Sequence, residues 1–204
     1  MRAHRRGKTR ALHHRHRQIP GQDGFKTKTG IAKKKDIYLA AGCFWGAERY
    51  LKQIHGVIST EVGYANGCIF HPTYREVSTD STGYAETVHV CYETEVIGLE
   101  RIIQIYFHAI DPLSVNKQGN DEGIRYRTGI YYTDPSDLGP IQKIYDRIAG
   151  ELKARPVVEV KPLKNFYRAE EEHQNYLDKH PGGYCHISES LMEFAKSASE
   201  TVSD

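Results

Sequence analysis

The feature that most constrains the fold is a repeated change from strand-like to helix-like apolar spacing. The run "DIYLAAG" at residues 36–42 is short, apolar and closed by glycine, which is typical of a buried strand. From Cys43 onward, apolar residues recur at spacings of three and four, which predicts an amphipathic helix over 43–54. Cys43 therefore lies where a predicted strand gives way to a predicted helix.

The same alternation continues to the end of the chain. It predicts further strands at 57–65, 86–93, 127–133 and 156–163, helices at 99–110, 136–152 and 168–180, and irregular structure from 181 onward. A loop at 66–83 is longer than packing alone requires, which is common at functional sites. This order predicts an α+β fold, a mixed β-sheet sandwich with a split βαβ, ferredoxin-like core.

Charge separates a basic head, residues 1–35, from the rest. The head holds 12 Lys and Arg and one acid, whereas the remainder holds 16 basic and 25 acidic residues. We expect the head to be disordered, because like charge and few apolar residues oppose packing. An expression leader or misassigned start, a tail for nucleic acid or another anionic surface, and a poor transit peptide all remain open. We expect a folded domain at 36–187 and a C-terminal tail at 188–204.

Partners and compartment follow from composition. No apolar run approaches the roughly 20 residues that a membrane span needs. The acidic remainder offers no basic face, so nucleic acid is not an expected partner. The cysteines are too few and too scattered for a secreted disulfide framework or a CxxC metal site, and they favour a reducing cytoplasm (Cys43, Cys68, Cys91 and Cys185). We expect a monomer.

Cys43 is the first candidate for chemistry. The first turn of a helix leaves N–H groups unpaired and carries positive partial charge, so this position predicts a thiol pKa below the usual value of about 8.5. A buried structural cysteine is the alternative. Phe44 and Trp45 are adjacent and cannot both face the core from one helix. One of them is therefore expected to line a pocket.

Other candidates lie far along the chain. Glu86 and Asp121 are next to glycine-marked loops, and a carboxyl in a partly apolar site can stay protonated and donate its proton, although solvated loop acids are the alternative. Tyr74 and Tyr126 can donate hydrogen bonds to a developing oxyanion, or belong to the core. Cys185 follows a glycine pair that would let it reach another thiol, or it is a stray exposed cysteine. We expect Cys68 and Cys91 to take no part.

The chain contains, in this order, the motifs GCFWGAE, GYANG, PTY, TGYAE, NKQGND, YRTGIYY and GYC. Through these motifs it resembles the A-type peptide methionine sulfoxide reductases over about residues 36–187. The resemblance implies that Cys43 attacks the sulfoxide sulfur of oxidised methionine and becomes a sulfenic acid. Glu86 would protonate the sulfoxide oxygen. Binding roles are implied for Phe44 and Trp45 around the methyl group, Tyr74 and Tyr126 at the oxygen, Asp121 through a water, and Tyr184 at the edge of the pocket.

The resemblance also implies how the enzyme is regenerated. Cys185 would attack the sulfenic acid, and thioredoxin or dithiothreitol would reduce the Cys43–Cys185 disulfide. The substrate would be the S epimer, free or in oxidised proteins, and neither a metal nor an organic cofactor is implied. No cysteine follows Cys185, so we expect reductant to act on this first disulfide.

Two positions depart from the commonest family pattern. Ser78 stands where the family usually has cysteine, and Tyr84 where it usually has histidine. Neither residue belongs to the implied chemistry, so we expect small effects. A thiol peroxidase is the alternative enzyme class, because it would use the same two cysteines and a sulfenic acid. It would not need an aromatic pair around a methyl group.

Overall fold

The structure is a computed structural model that describes Met1 and residues 33–200. The predicted disorder of residues 1–35 therefore falls almost entirely outside the described residues. The first strand begins at Lys34, two residues before the predicted start.

The described chain is α+β, as predicted. Its helices are α1 (Phe44–Leu51), α2 (Tyr74–Val77), α3 (Leu99–His108), α4 (Leu138–Leu152), α5 (Tyr176–Lys179) and α6 (Glu189–Glu200). Its strands are β1 (Lys34–Ala41), β2 (Val57–Ala65), β3 (Ala85–Glu93), β4 (Lys117–Gln118), β5 (Asp121–Glu122), β6 (Thr128–Tyr132), β7 (Glu159–Pro162) and β8 (Phe166–Arg168). Single 3-10 turns lie at Ile124–Tyr126, Pro135–Asp137 and Glu171–His173.

Six strands form one mixed sheet in the order β7-β6-β1-β3-β2-β8, and β4 pairs with β5 separately. β3 lies between β1 and β2 and is antiparallel to both. β1 and β2 are therefore parallel to each other, and α1 forms the crossover that connects them. β6 pairs antiparallel with β1 and parallel with β7. In this topology the C-terminal end of β1, after which α1 starts, lies next to the N-terminal end of β3.

Apolar side chains pack on both faces of the sheet. On the helical face, alternate strand residues such as Ile37, Leu39 and Val88 meet buried residues of α1 and α3. On the other face, a smaller cluster forms around Ala40 and Tyr131. Within the described residues, no helix is long and apolar enough to cross a membrane.

The C-terminal region differs from the prediction of irregular structure and a tail at 188–204. α6 buries Met192, Ala195 and Ala198 against the core, and it contacts α1 and α3. The pattern was missed because two of these three residues are alanines, whose small side chains make a weak apolar stripe. The folded part of the chain therefore extends well beyond residue 187.

Candidate active site

Cys43 lies between the C-terminal end of β1 and the start of α1. β1 ends at Ala41, and Gly42 turns the chain with φ +81°, a conformation that side chains disfavour. Cys43 is only 7% exposed and occupies the N-cap position. The backbone N–H groups of Trp45 and Gly46 lie near its sulfur and act to lower the thiol pKa, although neither caps the helix through a hydrogen bond to this side chain. These are amides that the helix itself leaves unpaired, so the start of α1 is directed at Sγ.

The lowering of the Cys43 pKa that the start of a helix can cause is outweighed in this structure. Burial raises the thiol pKa well above its ordinary value, and the charges of Glu86 and Asp121 raise it further. The two backbone N–H groups act in the opposite direction but do not offset these effects. Cys43 therefore keeps its proton near neutral pH.

Glu86 is a buried carboxyl group beside this helix start. It is 1% exposed, and one of its oxygens accepts a hydrogen bond of 3.0 Å from the backbone N–H of Phe44. Burial raises its pKa to about 8, although the Phe44 hydrogen bond and the charge of Arg125 oppose the shift. Glu86 is consequently protonated at neutral pH and can donate a proton.

Two tyrosines face the same site. Tyr74, at the start of α2, is half-buried, and Tyr126 is buried. Burial raises the pKa of both hydroxyls, and Glu86 and Cys43 each raise it further through their charges. Both phenols therefore stay protonated and can donate hydrogen bonds. Arg125 lies 4.4 Å from the centroid of the Tyr126 ring.

The two aromatic residues after Cys43 take different positions, as expected. Phe44 is buried, whereas Trp45 is partly exposed. Their ring centroids are 6.5 Å apart. Tyr176 stacks on Trp45 at 3.8 Å, and the Trp45 Nε1–H donates a 3.2 Å hydrogen bond to His173 Nδ1. Sequence reasoning missed His173 and Tyr176, because no spacing relative to residues 43–45 points to them.

The C-terminal segment crosses the start of α1. The Tyr184 hydroxyl donates a 3.1 Å hydrogen bond to Asp121 Oδ2. Cys185 Sγ donates to Ile187 O at 3.2 Å, and a Cβ built on Gly46 would lie 3.1 Å from this sulfur. Gly46 is three residues after Cys43, so the second thiol rests against the first turn of the helix that Cys43 begins. All four cysteines are unpaired thiols.

The two departures from the family pattern both donate hydrogen bonds to backbone oxygens of the 66–83 segment. Ser78 Oγ donates to Tyr74 O at 2.7 Å, and the Tyr84 hydroxyl donates to Ile69 O at 2.5 Å. Both side chains brace the 66–83 segment. Cys68 is exposed and donates to Thr82 O, and Cys91 is half-buried on β3. In the described part of the chain, no cluster of three His, Cys, Asp or Glu side chains is suited to a metal ion.

Cys43 is a buried thiol beside the protonated carboxyl of Glu86, and the thiol of Cys185 packs against the first turn of the same helix. This arrangement is typical of a thiol-dependent oxidoreductase. A family model described as peptide methionine sulfoxide reductase matches residues 35–203. The peptide methionine sulfoxide reductase MsrA of Lachnoclostridium phytofermentans is 53% identical over 164 residues, which covers 80% of this chain and 99% of the relative. The chain belongs to the peptide methionine sulfoxide reductase family and is an enzyme of its A type.

Solved structures agree in fold. Reduced Mxr1 from Saccharomyces cerevisiae matches with a TM-score of 0.73 and 36% identity, covering 80% of this chain and 96% of that one. Mxr1 in complex with Trx2 matches with a TM-score of 0.51 and 28% identity, covering 74% of this chain and 91% of that one.

Proposed function

We propose that this enzyme reduces the S epimer of methionine sulfoxide, free or within proteins, with Cys43 as the nucleophile and Glu86 as the acid. The observation that carries the proposal is the buried carboxyl of Glu86, which accepts a 3.0 Å hydrogen bond from the Phe44 N–H at the start of α1 and whose pKa burial raises to about 8. A carboxyl group that is protonated at neutral pH supplies the proton that a sulfoxide oxygen needs when its sulfur is attacked.

Both reacting groups begin protonated, and the chemistry balances without an external proton. The Cys43 sulfur attacks the sulfoxide sulfur, Glu86 gives its proton to the oxygen and then takes the thiol proton. The oxygen passes to Cys43 as a sulfenic acid, and methionine leaves. Because a protonated Glu86 carries no charge, it no longer disfavours a Cys43 thiolate that the Trp45 and Gly46 amides stabilise.

The remaining residues hold the substrate. The Tyr74 and Tyr126 hydroxyls donate hydrogen bonds to the sulfoxide oxygen, and Asp121 acts through a water. Phe44 and Trp45 enclose the methyl group, an apolar contact that orients the sulfur. The stacking of Tyr176 on Trp45 supports this role, since it holds the indole in one orientation. Tyr184 lies at the rim.

Cys185 resolves the sulfenic acid, and thioredoxin reduces the Cys43–Cys185 disulfide. The contact of Cys185 with Gly46, three residues from Cys43, supports this role. The relative Mxr1 has been solved in complex with Trx2, which supports thioredoxin as the reductant. Thiol–disulfide exchange at the first disulfide completes the cycle.

We also propose that the strands β6-β1-β3-β2 form a ferredoxin-like core. Their antiparallel pairings, with β3 inserted between two parallel strands that α1 connects, support this arrangement. The catalytic domain begins with β1 at Lys34, so the basic head that precedes this strand stands outside it, and the enzyme works as a monomer in the cytoplasm. The family match that starts at residue 35 supports this boundary.

A single turnover without reductant tests the function. Mixing the enzyme with methionine S-sulfoxide should release about one methionine per enzyme, and peptide mass mapping should then find Cys43 joined to Cys185. Cys185→Ser should give the same single methionine and then stall with thioredoxin, whereas the exposed-cysteine control Cys68→Ser should turn over normally. Peroxide consumption without methionine formation would indicate a thiol peroxidase, and undiminished turnover of Cys185→Ser would assign resolution to another thiol.

A further inference from the structure

His186, next to Cys185, occupies a position that the proposed chemistry does not use. Its Nε2 donates a 2.9 Å hydrogen bond to the backbone oxygen of Ala41, the last residue of β1. A neutral histidine that donates from Nε2 has an unprotonated Nδ1 that can accept a proton. Nδ1 is buried, and it has no hydrogen-bond partner among the described residues. The ring thus carries a fixed and unpaired basic nitrogen.

Three glycines enclose this ring. A Cβ on Gly42 would lie 3.2 Å from His186 Nε2, one on Gly46 3.0 Å from Nδ1, and one on Gly119 3.2 Å from the His186 Cβ. These distances are shorter than ordinary van der Waals contact, so the ring fits because side chains are absent there. The Cβ position of Gly46 is also 3.1 Å from Cys185 Sγ. The free nitrogen and the second thiol therefore flank one glycine in the first turn of α1.

We propose that His186 is the base that removes the proton of the Cys185 thiol as this sulfur attacks the Cys43 sulfenic acid. The inference rests on the proposed resolving role of Cys185. The Cys185 S–H turns from Ile187 O toward His186, its proton moves to Nδ1, the new S–S bond forms, and the S–O bond of Cys43 breaks. The leaving hydroxide takes the proton from His186, so the products are the disulfide and one water.

The pKa values of Cys185 and His186 are shifted in directions that suit proton transfer from the thiol to the imidazole. Burial raises the pKa of the Cys185 thiol, although the Ile187 backbone and Arg49 on α1 oppose this and Glu189 on α6 adds to it. Burial lowers the pKa of His186, against smaller opposing effects of the Ala41 hydrogen bond and Asp121. At neutral pH the thiol is therefore protonated while the imidazole is free to accept its proton.

Rapid quenching after one turnover without reductant separates the two steps. His186→Gln keeps an N–H that can donate to Ala41 O but removes the basic nitrogen. Methionine release should reach about one per enzyme, which also reports a folded site. Disulfide formation at pH 7 should slow about 100-fold, as expected for loss of a general base. The deficit should shrink as pH rises, because Cys185 then ionises unaided. His108→Gln, a control at the exposed end of α3, should match the wild type.

A second variant guards against a purely structural effect. His186→Ala opens space for a free base, so added imidazole should accelerate its disulfide formation. The proposal is overturned if His186→Gln forms the disulfide at the wild-type rate at pH 7. It is equally overturned if the deficit is the same at every pH and imidazole has no effect. A wild-type disulfide that joins Cys43 to another cysteine would instead remove the resolving role of Cys185, and this inference with it.

Discussion

At the residue scale, burial has opposite consequences for two neighbouring groups. It makes Cys43 a weaker nucleophile at rest, because a thiol and not a thiolate is present. It makes Glu86 a weaker acid that is nevertheless available as a proton donor at neutral pH, because its proton is retained to about pH 8. Both Cys43 and Glu86 are therefore protonated near neutral pH, and we expect Glu86 to transfer its proton only when a substrate oxygen accepts it. Neither group can be understood from its own pKa alone.

Replacing Glu86 by glutamine should slow methionine formation about 100-fold at pH 7, because the proton donor is lost. In the wild type, the rate should fall as pH rises through about 8, since Glu86 then loses its proton. Glu86→Gln should lack this fall. Single-turnover methionine release between pH 6 and 9 measures both effects. Glu159→Gln, on β7, is a matched control outside the site. A Glu86→Gln rate close to the wild type would make Asp121 the next candidate acid.

The candidate residues could be proposed from the sequence because their types and order carry chemical meaning and match the motifs of a known family. Cys43 precedes a helix, Glu86 accepts a hydrogen bond from the N–H of the next residue, and the charges of Cys43 and Glu86 both raise the pKa of Tyr126. His173 and His186 were not predicted. Their contacts with α1 come from a segment more than 120 residues away, and a lone histidine carries no spacing signal that would identify them.

At the element scale, strong periodicity was a reliable guide and weak periodicity was not. The strand predicted at 57–65 coincides with β2, and the helix predicted at 99–110 contains α3. β8 was missed because three residues at the sheet edge are too few to show alternation. α6 was missed for its small apolar residues, yet it closes the core against α1 and α3.

Truncating the buried Met192 of α6 tests whether this helix belongs to the fold. Met192→Ala should lower the free energy of unfolding by about 2 kcal/mol or more, because buried apolar contacts are lost and a cavity remains. Urea unfolding measures the change. The exposed neighbour Glu193→Ala should alter it by less than about 0.5 kcal/mol. Equal stabilities of the two variants would indicate that α6 contributes no packing.

At the scale of the whole molecule, the site reduces stability. The folded-state pKa of Glu86, about 8, lies above its ordinary value of 4.5. The folded protein therefore holds a proton that the unfolded chain releases between these pH values. The contribution of Glu86 to stability is complete below about pH 4.5 and is lost as pH rises through about 8. A buried acid thus lowers the stability of the fold at the pH where it acts.

Glu86→Gln should therefore gain stability relative to the wild type as pH rises from 5 to 8, by up to about 1.4 kcal/mol per pH unit. Urea unfolding at several pH values measures the difference. Glu159→Gln should show a constant difference over this range, because the pKa of Glu159 is lowered in the folded state and its titration lies at more acidic pH. A pH-independent difference for Glu86→Gln would contradict a raised pKa of Glu86.

The burial of Cys43 also bears on the survival of the enzyme among oxidants. Thiolates, and not thiols, are oxidised readily to sulfinic and sulfonic acids, which thiol reductants do not reverse. A sulfur that is 7% exposed and keeps its proton is a poor target for such damage. A methionine sulfoxide reductase with its Cys43 sulfur buried and protonated is thereby protected from irreversible oxidation of that sulfur.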